Sequence, residues 1–113
     1  MTDNVIPPCG PERDRLVAEA VGWANVDLFE YLAVWDSLAR CVRRPSQSDP
    51  DALAALKAWK EQEIGRHVTV DIGHCVHVCL YEPDRFSAFG QAPTLAGAAT
   101  AALVRWRNER SQS

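Results

Sequence analysis

Hydrophobic and polar residues alternate most regularly in one stretch of the chain, residues 67–81 (HVTVDIGHCVHVCLY). Valine, isoleucine and leucine occupy every second position on each side of Gly73, which is typical of strands with one buried face. The glycine indicates a turn at 73–75. A loop of three or five residues keeps the apolar side chains on one face, whereas a two-residue loop mixes the faces. We therefore predict a hairpin, and one unbroken strand is the alternative.

The opposite face of this hairpin carries the side chains with the most chemistry. With a three-residue loop, Asp71 lies opposite His77 on the neighbouring strand. This pair is either a cross-strand ion pair or an acid–base pair, and we favour the ion pair. The residues of this face are His67, Thr69, Asp71, His77, Cys79 and Tyr81.

Two helices are predicted before the hairpin from apolar residues that recur every three or four positions. The first begins at Pro11, a favoured first helical residue, and ends near Gly22. The second is capped by Asn25 or Asp27 and stops at Pro45. The apolar stripe of the second helix consists of Leu28, Leu32, Trp35, Ala39 and Val42.

A third helix is predicted over residues 50–64, where Ser48 and Asp51 resemble a capping box. After the hairpin, Arg85–Phe89 reads as a short third strand. Thr94 is a good N-cap for a final helix rich in alanine, which we expect to cover the apolar face of the hairpin. The stripe of this helix is Leu95, Ala98, Ala99, Ala102, Leu103 and Trp106.

The fold class that follows is α+β, a small antiparallel β-sheet of two to three strands layered with helices in the order α-α-α-β-β-(β)-α. A chain of 113 residues is one domain. We expect a flexible N-terminal tail at 1–10, a single domain at 11–107 with a helical insertion at 48–64, and a frayed C-terminus at 108–113.

Composition narrows the class of function. The net charge of -3 and pI of about 5.5 disfavour non-specific nucleic-acid binding, which depends on excess Lys and Arg. No apolar run is long enough to cross a membrane, and the first residues lack the pattern of a signal peptide. The four cysteines form no CxxC pair, which is typical of cytoplasmic thiols.

Several short segments resemble the phage ABA sandwich domain family. They are LVAEAVGW at 16–23, the stretch from Val26 to Leu38, the hairpin end at 80–82, and the glycine-to-alanine-rich stretch at 89–103. The resemblance covers most of residues 13–106, with 48–64 as an insertion. It implies an α-β-α layered fold and a phage or prophage protein, but no known activity and no catalytic residues.

A weaker similarity is to the HicB-type antitoxins. The shared features are a β-β-β-α unit, a glycine-containing connector, a threonine cap and an alanine-rich helix. This resemblance implies a regulator associated with nucleic acid.

His74, Cys75, His77 and Cys79 are candidate zinc ligands. Residues two apart on a strand lie about 6–7 Å apart, and the sequence offers no second ligand pair, so we predict no metal. A nucleophilic Cys79 or Cys75 activated by His67 or His77 is the candidate catalytic arrangement. No glycine-rich elbow or oxyanion site accompanies it, so we predict packed thiols, no cofactor and no enzyme.

Two further groups of residues are candidate contact sites. Arg40, Arg43 and Arg44 lie at the end of the predicted second helix, where they either contact phosphates or form a solvated helix end. Trp59 lies beside Lys60 on the predicted inserted helix. A partly exposed tryptophan there would anchor a protein partner.

We therefore predict a small non-enzymatic accessory protein of phage or prophage type, which binds a protein partner as an inhibitor or adaptor of a host factor. One alternative is a nucleic-acid-associated regulator of antitoxin type, and the other is a metal-binding or Cys/His enzyme. A homodimer through an edge strand at Arg85–Phe89 is also compatible with the sequence. The predicted binding residues are Trp59, Lys60, Arg40, Arg43, Arg44, Asp71 and His77.

Overall fold

A computed structural model describes residues 6–28 and 31–111, which form three helices and six strands. The class is α+β, as the sequence predicts, but the order is α-β-β-β-α-β-β-β-α. The elements are α1 (Pro11–Val21), β1 (Ala24–Leu28), β2 (Tyr31–Asp36), β3 (Cys41–Arg43), α2 (Asp49–Glu61), β4 (His67–Ile72), β5 (Val76–Glu82), β6 (Arg85–Ala92) and α3 (Leu95–Ser111).

The predicted second helix is wrong, because its residues form the antiparallel sheet β1-β2-β3. The Asp36 carboxylate accepts hydrogen bonds from the backbone N–H groups of Leu38 and Ala39, both at 3.1 Å. Arg40 then adopts a left-handed φ of 58°. An aspartate that binds nearby backbone in this way favours a turn over a helix. Residues 29 and 30 of the predicted helix lie outside the described residues.

The other helices begin close to where the sequence predicts. In α1, Pro11 is the first residue, and Gly22 ends the helix with a left-handed φ of 83°. In α2, the Ser48 hydroxyl accepts a hydrogen bond from the Asp51 N–H at 3.4 Å, so the predicted cap is present. Far from being peripheral, α2 contributes Leu56 and Trp59 to the hydrophobic core.

The second sheet, β4-β5-β6, confirms the predicted hairpin. Ile72 pairs with Val76, and Asp71 pairs with His77, which leaves a three-residue loop at 73–75. The predicted third strand is present as β6 and continues to Ala92. A β-bulge interrupts the β5–β6 pairing where Leu80 meets Ala88 and Tyr81 meets Phe86.

Helix α3 lies at the centre of the molecule. Every residue from 96 to 104 is buried, because α3 covers the inner face of β5 and β6 on one side and contacts α1 and α2 on the others. The first sheet packs against α1. The core is therefore built around a helix of small residues, with Val17, Leu56, Trp59, Val78, Leu80, Leu103 and Trp106 among its larger members.

The contact between α3 and β6 is unusually close at Gly90. A Cβ atom added to Gly90 would lie 2.1 Å from the carbonyl oxygen of Ala98 and 2.6 Å from the backbone nitrogen of Ala102. The helix backbone therefore rests directly on the strand backbone. Only glycine on the strand and small residues on the helix permit this spacing.

Described residues near both ends of the chain make contacts within the domain. Residues 1–5 of the predicted flexible tail lie outside the described residues. The remainder packs onto the domain, because the N–H of Gly10 donates to the Ser46 hydroxyl at 2.9 Å and Arg13 donates to the Pro7 carbonyl at 2.7 Å. Helix α3 continues through the predicted frayed segment to Ser111.

The Gly90→Ala substitution should destabilise the protein by about 2–3 kcal/mol, because the added methyl group overlaps the backbone of α3. Urea unfolding followed by circular dichroism measures this change. The matched control is Gly73→Ala, since a Cβ at Gly73 meets nothing within 4 Å. We expect the control to change stability by less than about 0.5 kcal/mol. Equal stabilities of the two variants would contradict the close contact.

Candidate functional site

The outer face of the second sheet is the side that points away from α3. The pairing of β4, β5 and β6 arranges its residues in three cross-strand rows, as the hairpin register predicts for the first two strands. The rows are His67–Tyr81–Phe86, Thr69–Cys79–Phe89 and Asp71–His77–Gln91. Sequence-predicted Asp71 and His77 are thus neighbours, and β6 adds residues that the hairpin alone does not supply.

The first row is an aromatic cluster. The His67 ring stacks on Tyr81 with centroids 4.5 Å apart and an interplanar angle of 6°. Tyr81 meets Phe86 edge-on at 5.7 Å. Phe86 is 52% exposed and Phe89, in the next row, is 41% exposed. We call His67, Tyr81, Phe86 and Phe89 the aromatic patch. Exposed aromatic residues held together on a sheet are typical of contact surfaces.

The third row is polar but is not an acid–base site. Asp71 is exposed and His77 is half-buried, yet no ion pair joins them within the described ranges, so the predicted cross-strand ion pair is not formed. Asp71 therefore does not orient the imidazole through an ion pair. The row offers hydrogen-bonding groups to a partner rather than a preassembled proton relay.

The candidate metal and nucleophile residues do not assemble into a site. In the part of the chain that the structure describes, no group of three or more His, Cys, Asp or Glu side chains could hold a metal ion. Cys75 and Cys79 are half-buried free thiols. Cys79 faces Thr69 and Phe89 across the strands, and neither thiol hydrogen-bonds to a histidine in the described segments.

A second cluster surrounds Glu82 at the end of β5, on the inner side of the sheet. Its carboxylate is 9% exposed. It accepts hydrogen bonds from the Ser87 hydroxyl at 2.6 Å and from Arg85 at 3.0 Å. Arg110 and Arg66 lie 3.5 Å and 3.8 Å from it. Three guanidinium groups therefore converge on one nearly buried carboxylate.

Arg66 is the most buried cation of this cluster, with a side chain only 4% exposed. Its guanidinium lies 4.5 Å from the ring centroid of Trp59 and 4.9 Å from that of Trp106. It also donates to the Trp59 carbonyl and to Gln62, both at 2.9 Å. Two indole faces and two oxygen acceptors thus replace much of the water that this cation loses.

The electrostatics of this cluster favour fixed charges. Burial is the largest single effect and raises the pKa of Glu82, but the hydrogen bonds from Ser87 and Arg85, the charge of Arg85 and smaller effects together lower it below its ordinary value. Burial lowers the pKa of Arg66, and the carboxylates of Glu63 and Glu82 offset part of that effect. An ionised carboxylate that is paired with several cations stabilises the fold and is poorly suited to proton transfer.

A polar cleft of about 280 Å³ opens beside this cluster, lined by Glu82, Arg85, Ser87, Trp106, Glu109 and Arg110. The charges around it are already paired with one another through Glu82. A ligand there would have to break ion pairs that hold the end of β5 against α3. The cleft is therefore a weaker candidate site than the outer face.

The structure corrects the prediction for Trp59, which is fully buried in the core and stacked against Arg66. It cannot present its indole to a partner as a partly exposed anchor. The reason is that α2 packs on α3, so the apolar stripe containing Trp59 faces inward. Lys60 is exposed on the same helix, but without an adjacent exposed tryptophan.

The three predicted arginines do not lie at a helix end, because the described residues directly before them form strand β2 and a turn. Arg43 binds Asp36 at 3.1 Å and Asp51 at 2.9 Å, which ties β3 to α2. The hydrogen bond to Asp51 is the main factor that raises the pKa of Arg43. Arg40 and Arg44 are exposed in the turn before β3 and in the loop after it.

Sequence reasoning missed Phe86 and Phe89 as surface residues. They are three positions apart, so a regular strand would place them on opposite faces. The β-bulge opposite Leu80 and Tyr81 inserts one extra residue and brings both phenylalanines to the outer face. Alternation alone gives no signal for this arrangement.

No protein-family model, curated protein or solved structure matches the chain. The resemblance to phage ABA sandwich domains and to HicB-type antitoxins therefore stays a prediction. None of the described helices combines the length and the apolar character needed to cross a membrane.

The depressed pKa of Glu82 gives a stability contribution that is present above the carboxyl's unfolded pKa and is lost as pH falls through the folded pKa. Glu82→Gln removes this contribution and leaves Arg66 short of a counter-ion. We expect the free energy of unfolding of this variant to be about 1–3 kcal/mol lower than that of the unmodified chain at pH 7. The difference between the two chains should become smaller in acid. Urea unfolding at a series of pH values between pH 7 and pH 3 measures the difference.

The control is Glu109→Gln, which removes a carboxylate from the same cleft but not from the ion cluster. Its stability should follow that of the unmodified chain at every pH. Parallel curves for Glu82→Gln and the unmodified chain would contradict a stabilising role for the Glu82 carboxylate.

Proposed function

We propose that this protein is a non-enzymatic binding protein that contacts a protein partner through the outer face of its second sheet. The observation that carries the proposal is the aromatic patch: two phenylalanines that are about half exposed, next to a stacked His67–Tyr81 pair. Aromatic side chains contribute strongly to protein interfaces because each buries a large area with little loss of side-chain freedom.

The polar rows favour a protein partner over nucleic acid. Beside the patch, the outer face carries Asp71, Thr69 and Gln91, which supply a carboxylate, a hydroxyl and an amide. No lysine or arginine belongs to the three rows, and the whole chain has a net charge of -3. Nucleic-acid binding needs cations along the phosphate path, even where aromatic rings stack on the bases.

The nucleic-acid alternative rests on Arg40, Arg43 and Arg44, and their surroundings weaken it. Arg43 already binds two carboxylates, Asp36 and Asp51. A phosphate would have to displace both of them, which removes the link between the first sheet and α2. Arg40 and Arg44 alone provide too little charge for stable phosphate contacts.

The proposal that the protein is non-enzymatic is supported by Cys75 and Cys79, neither of which hydrogen-bonds to a basic side chain among the described residues. The resemblance to phage ABA sandwich domains extends the proposal to an accessory protein of phage or prophage type. In that setting it would act in the cytoplasm as an inhibitor or adaptor of a host factor. Four free thiols fit such a reducing compartment.

Affinity capture from a cell lysate with matched variants tests the surface. The double substitution Phe86→Ala and Phe89→Ala should weaken binding of a stoichiometric protein partner by at least about tenfold, since it removes two exposed aromatic contacts. Titration of the identified partner by calorimetry measures the change.

The control variant is Leu38→Ala with Val42→Ala, which removes two apolar side chains that are also exposed but belong to the first sheet and the turn before β3. It should bind like the unmodified chain. Equal weakening by both double variants would refute the choice of surface. Recovery that disappears after nuclease treatment would instead favour the nucleic-acid regulator.

A further inference from the structure

The two edges of the second sheet differ in how they are protected. On β6, Arg105 donates to the carbonyl oxygen of Phe89 at 2.8 Å, and its guanidinium lies 5.2 Å from the Phe89 ring centroid. The β-bulge further disrupts this edge. A capped carbonyl and a bulge both hinder pairing with another strand. The edge at Arg85–Phe89, which the sequence allows as a dimer contact, is therefore the less suitable one.

The edge formed by β4 lacks these protections. It pairs with β5 in regular register at all six of its positions, and no strand of the described ranges pairs with its other side. It contains no proline, lysine or arginine. Every second residue therefore turns its N–H and C=O groups outward, and Asp71 is the one carboxylate among the residues of this edge.

Apolar side chains accompany this open edge. Val70 and Ile72 lie on the inner face of the sheet, in the same rows as Val78 and Val76. Val76 and Val78 are buried, because α3 covers β5 and β6. By contrast, Val70 is 42% exposed and Ile72 is 75% exposed. The apolar face thus continues past the cover that the chain itself provides.

We propose that β4 pairs antiparallel with β4 of a second copy of this chain, which joins two three-stranded sheets into one continuous sheet. The two-fold axis passes between Val70 of one copy and Val70 of the other. In this register Val70 faces its own copy, Val68 faces Ile72, and Thr69 faces Asp71. The pairing uses Thr69 and Asp71 of the outer face but neither Phe86 nor Phe89, so different variants test the two proposals.

The sequence of β4 favours this occupant because it is complementary to itself. Around Val70, apolar residues meet apolar residues on the inner face, which covers both exposed side chains. On the outer face, the hydroxyl of Thr69 can donate to the Asp71 carboxylate of the other copy. The pairing therefore buries apolar area and adds hydrogen bonds without opposing like charges.

The neighbouring strand registers pair the residues of β4 less favourably. A shift of one residue would oppose apolar and polar faces. A symmetric pairing centred on Asp71 would place two carboxylates opposite each other. A symmetric pairing centred on Thr69 would set Ile72 opposite Arg66, whose side chain is buried in its own cluster. Of these centres, Val70 is the one that sets apolar residues opposite both exposed side chains, Val70 and Ile72.

Sedimentation equilibrium over a concentration series tests the proposal. The unmodified chain should reach a mass twice that of the 12.5 kDa monomer. Val70→Lys opposes two ammonium groups across the axis and should raise the dimer dissociation constant by at least about tenfold. The control is Leu53→Lys on α2, a half-exposed leucine away from β4, which should leave the dimer intact.

A mixing experiment identifies the axis. Val70→Lys and Val70→Asp should each be monomeric alone, and an equimolar mixture should restore the dimer, since the two charges then attract across the axis. Circular dichroism of each variant checks that it is folded. A monomeric unmodified chain at all concentrations would overturn the proposal, and so would a dimer that Val70→Lys leaves intact.

These outcomes are separate from those of the partner-binding test. Phe86→Ala with Phe89→Ala should keep the dimer, because both residues lie on the opposite edge of the sheet. Binding of another protein's extended segment to a monomeric chain, abolished by Val70→Lys, would show that β4 accepts strands but not a second copy. That result would overturn the dimer proposal. It would have no bearing on the proposal that the aromatic patch contacts a partner.

Discussion

The backbone contact between α3 and Gly90 is the constraint on which the rest of the structure depends. A strand and a helix that touch without intervening side chains fix the height of α3 above the sheet. The alanines at 96, 98, 99, 101 and 102 are then required by space rather than by helix propensity alone. Because α3 lies so close to the sheet, both α1 and α2 contact it, and all three helices share one core.

Small residues leave little apolar area for stabilisation, so the larger side chains concentrate elsewhere. Trp59 from α2 and Trp106 from α3 meet edge-on at 5.7 Å near the C-terminal part of α3. Arg66 fills the space against both rings and reaches toward Glu82 on β5. Aromatic packing and a nearly buried ion cluster thus connect two helices to the end of the sheet. A buried charge of this kind is tolerated because several partners replace its hydration.

The second sheet was predictable because its signal is local. Alternation around Gly73 predicts the hairpin and limits its loop to three or five residues, and the structure selects the three-residue loop that pairs Asp71 with His77. The first sheet was not, since Leu28, Leu32 and Trp35 fit a helical repeat as well as two paired strands. The choice between a helix and paired strands depends on the turn at Asp36 and on Arg43. This arginine binds Asp36 and Asp51, which lie seven and eight residues away in the sequence. For the site, the bulge that aligns Phe86 with Phe89 and the burial of Trp59 are properties of tertiary packing.

The junction between α1 and α2 has a consequence for how the fold can vary. The buried Asp14 carboxylate accepts hydrogen bonds from the Ser46 backbone N–H at 2.7 Å and from the Gln47 amide at 3.1 Å. The two helices are thus joined at the point where the first sheet returns to the core, and the described core cluster takes its fully buried members from α1, α2, the second sheet and α3. The loop-closure entropy of a longer or shorter excursion grows only slowly with its length. A longer or shorter first sheet would therefore cost little loop-closure entropy, and it would leave the buried members of the core cluster in place.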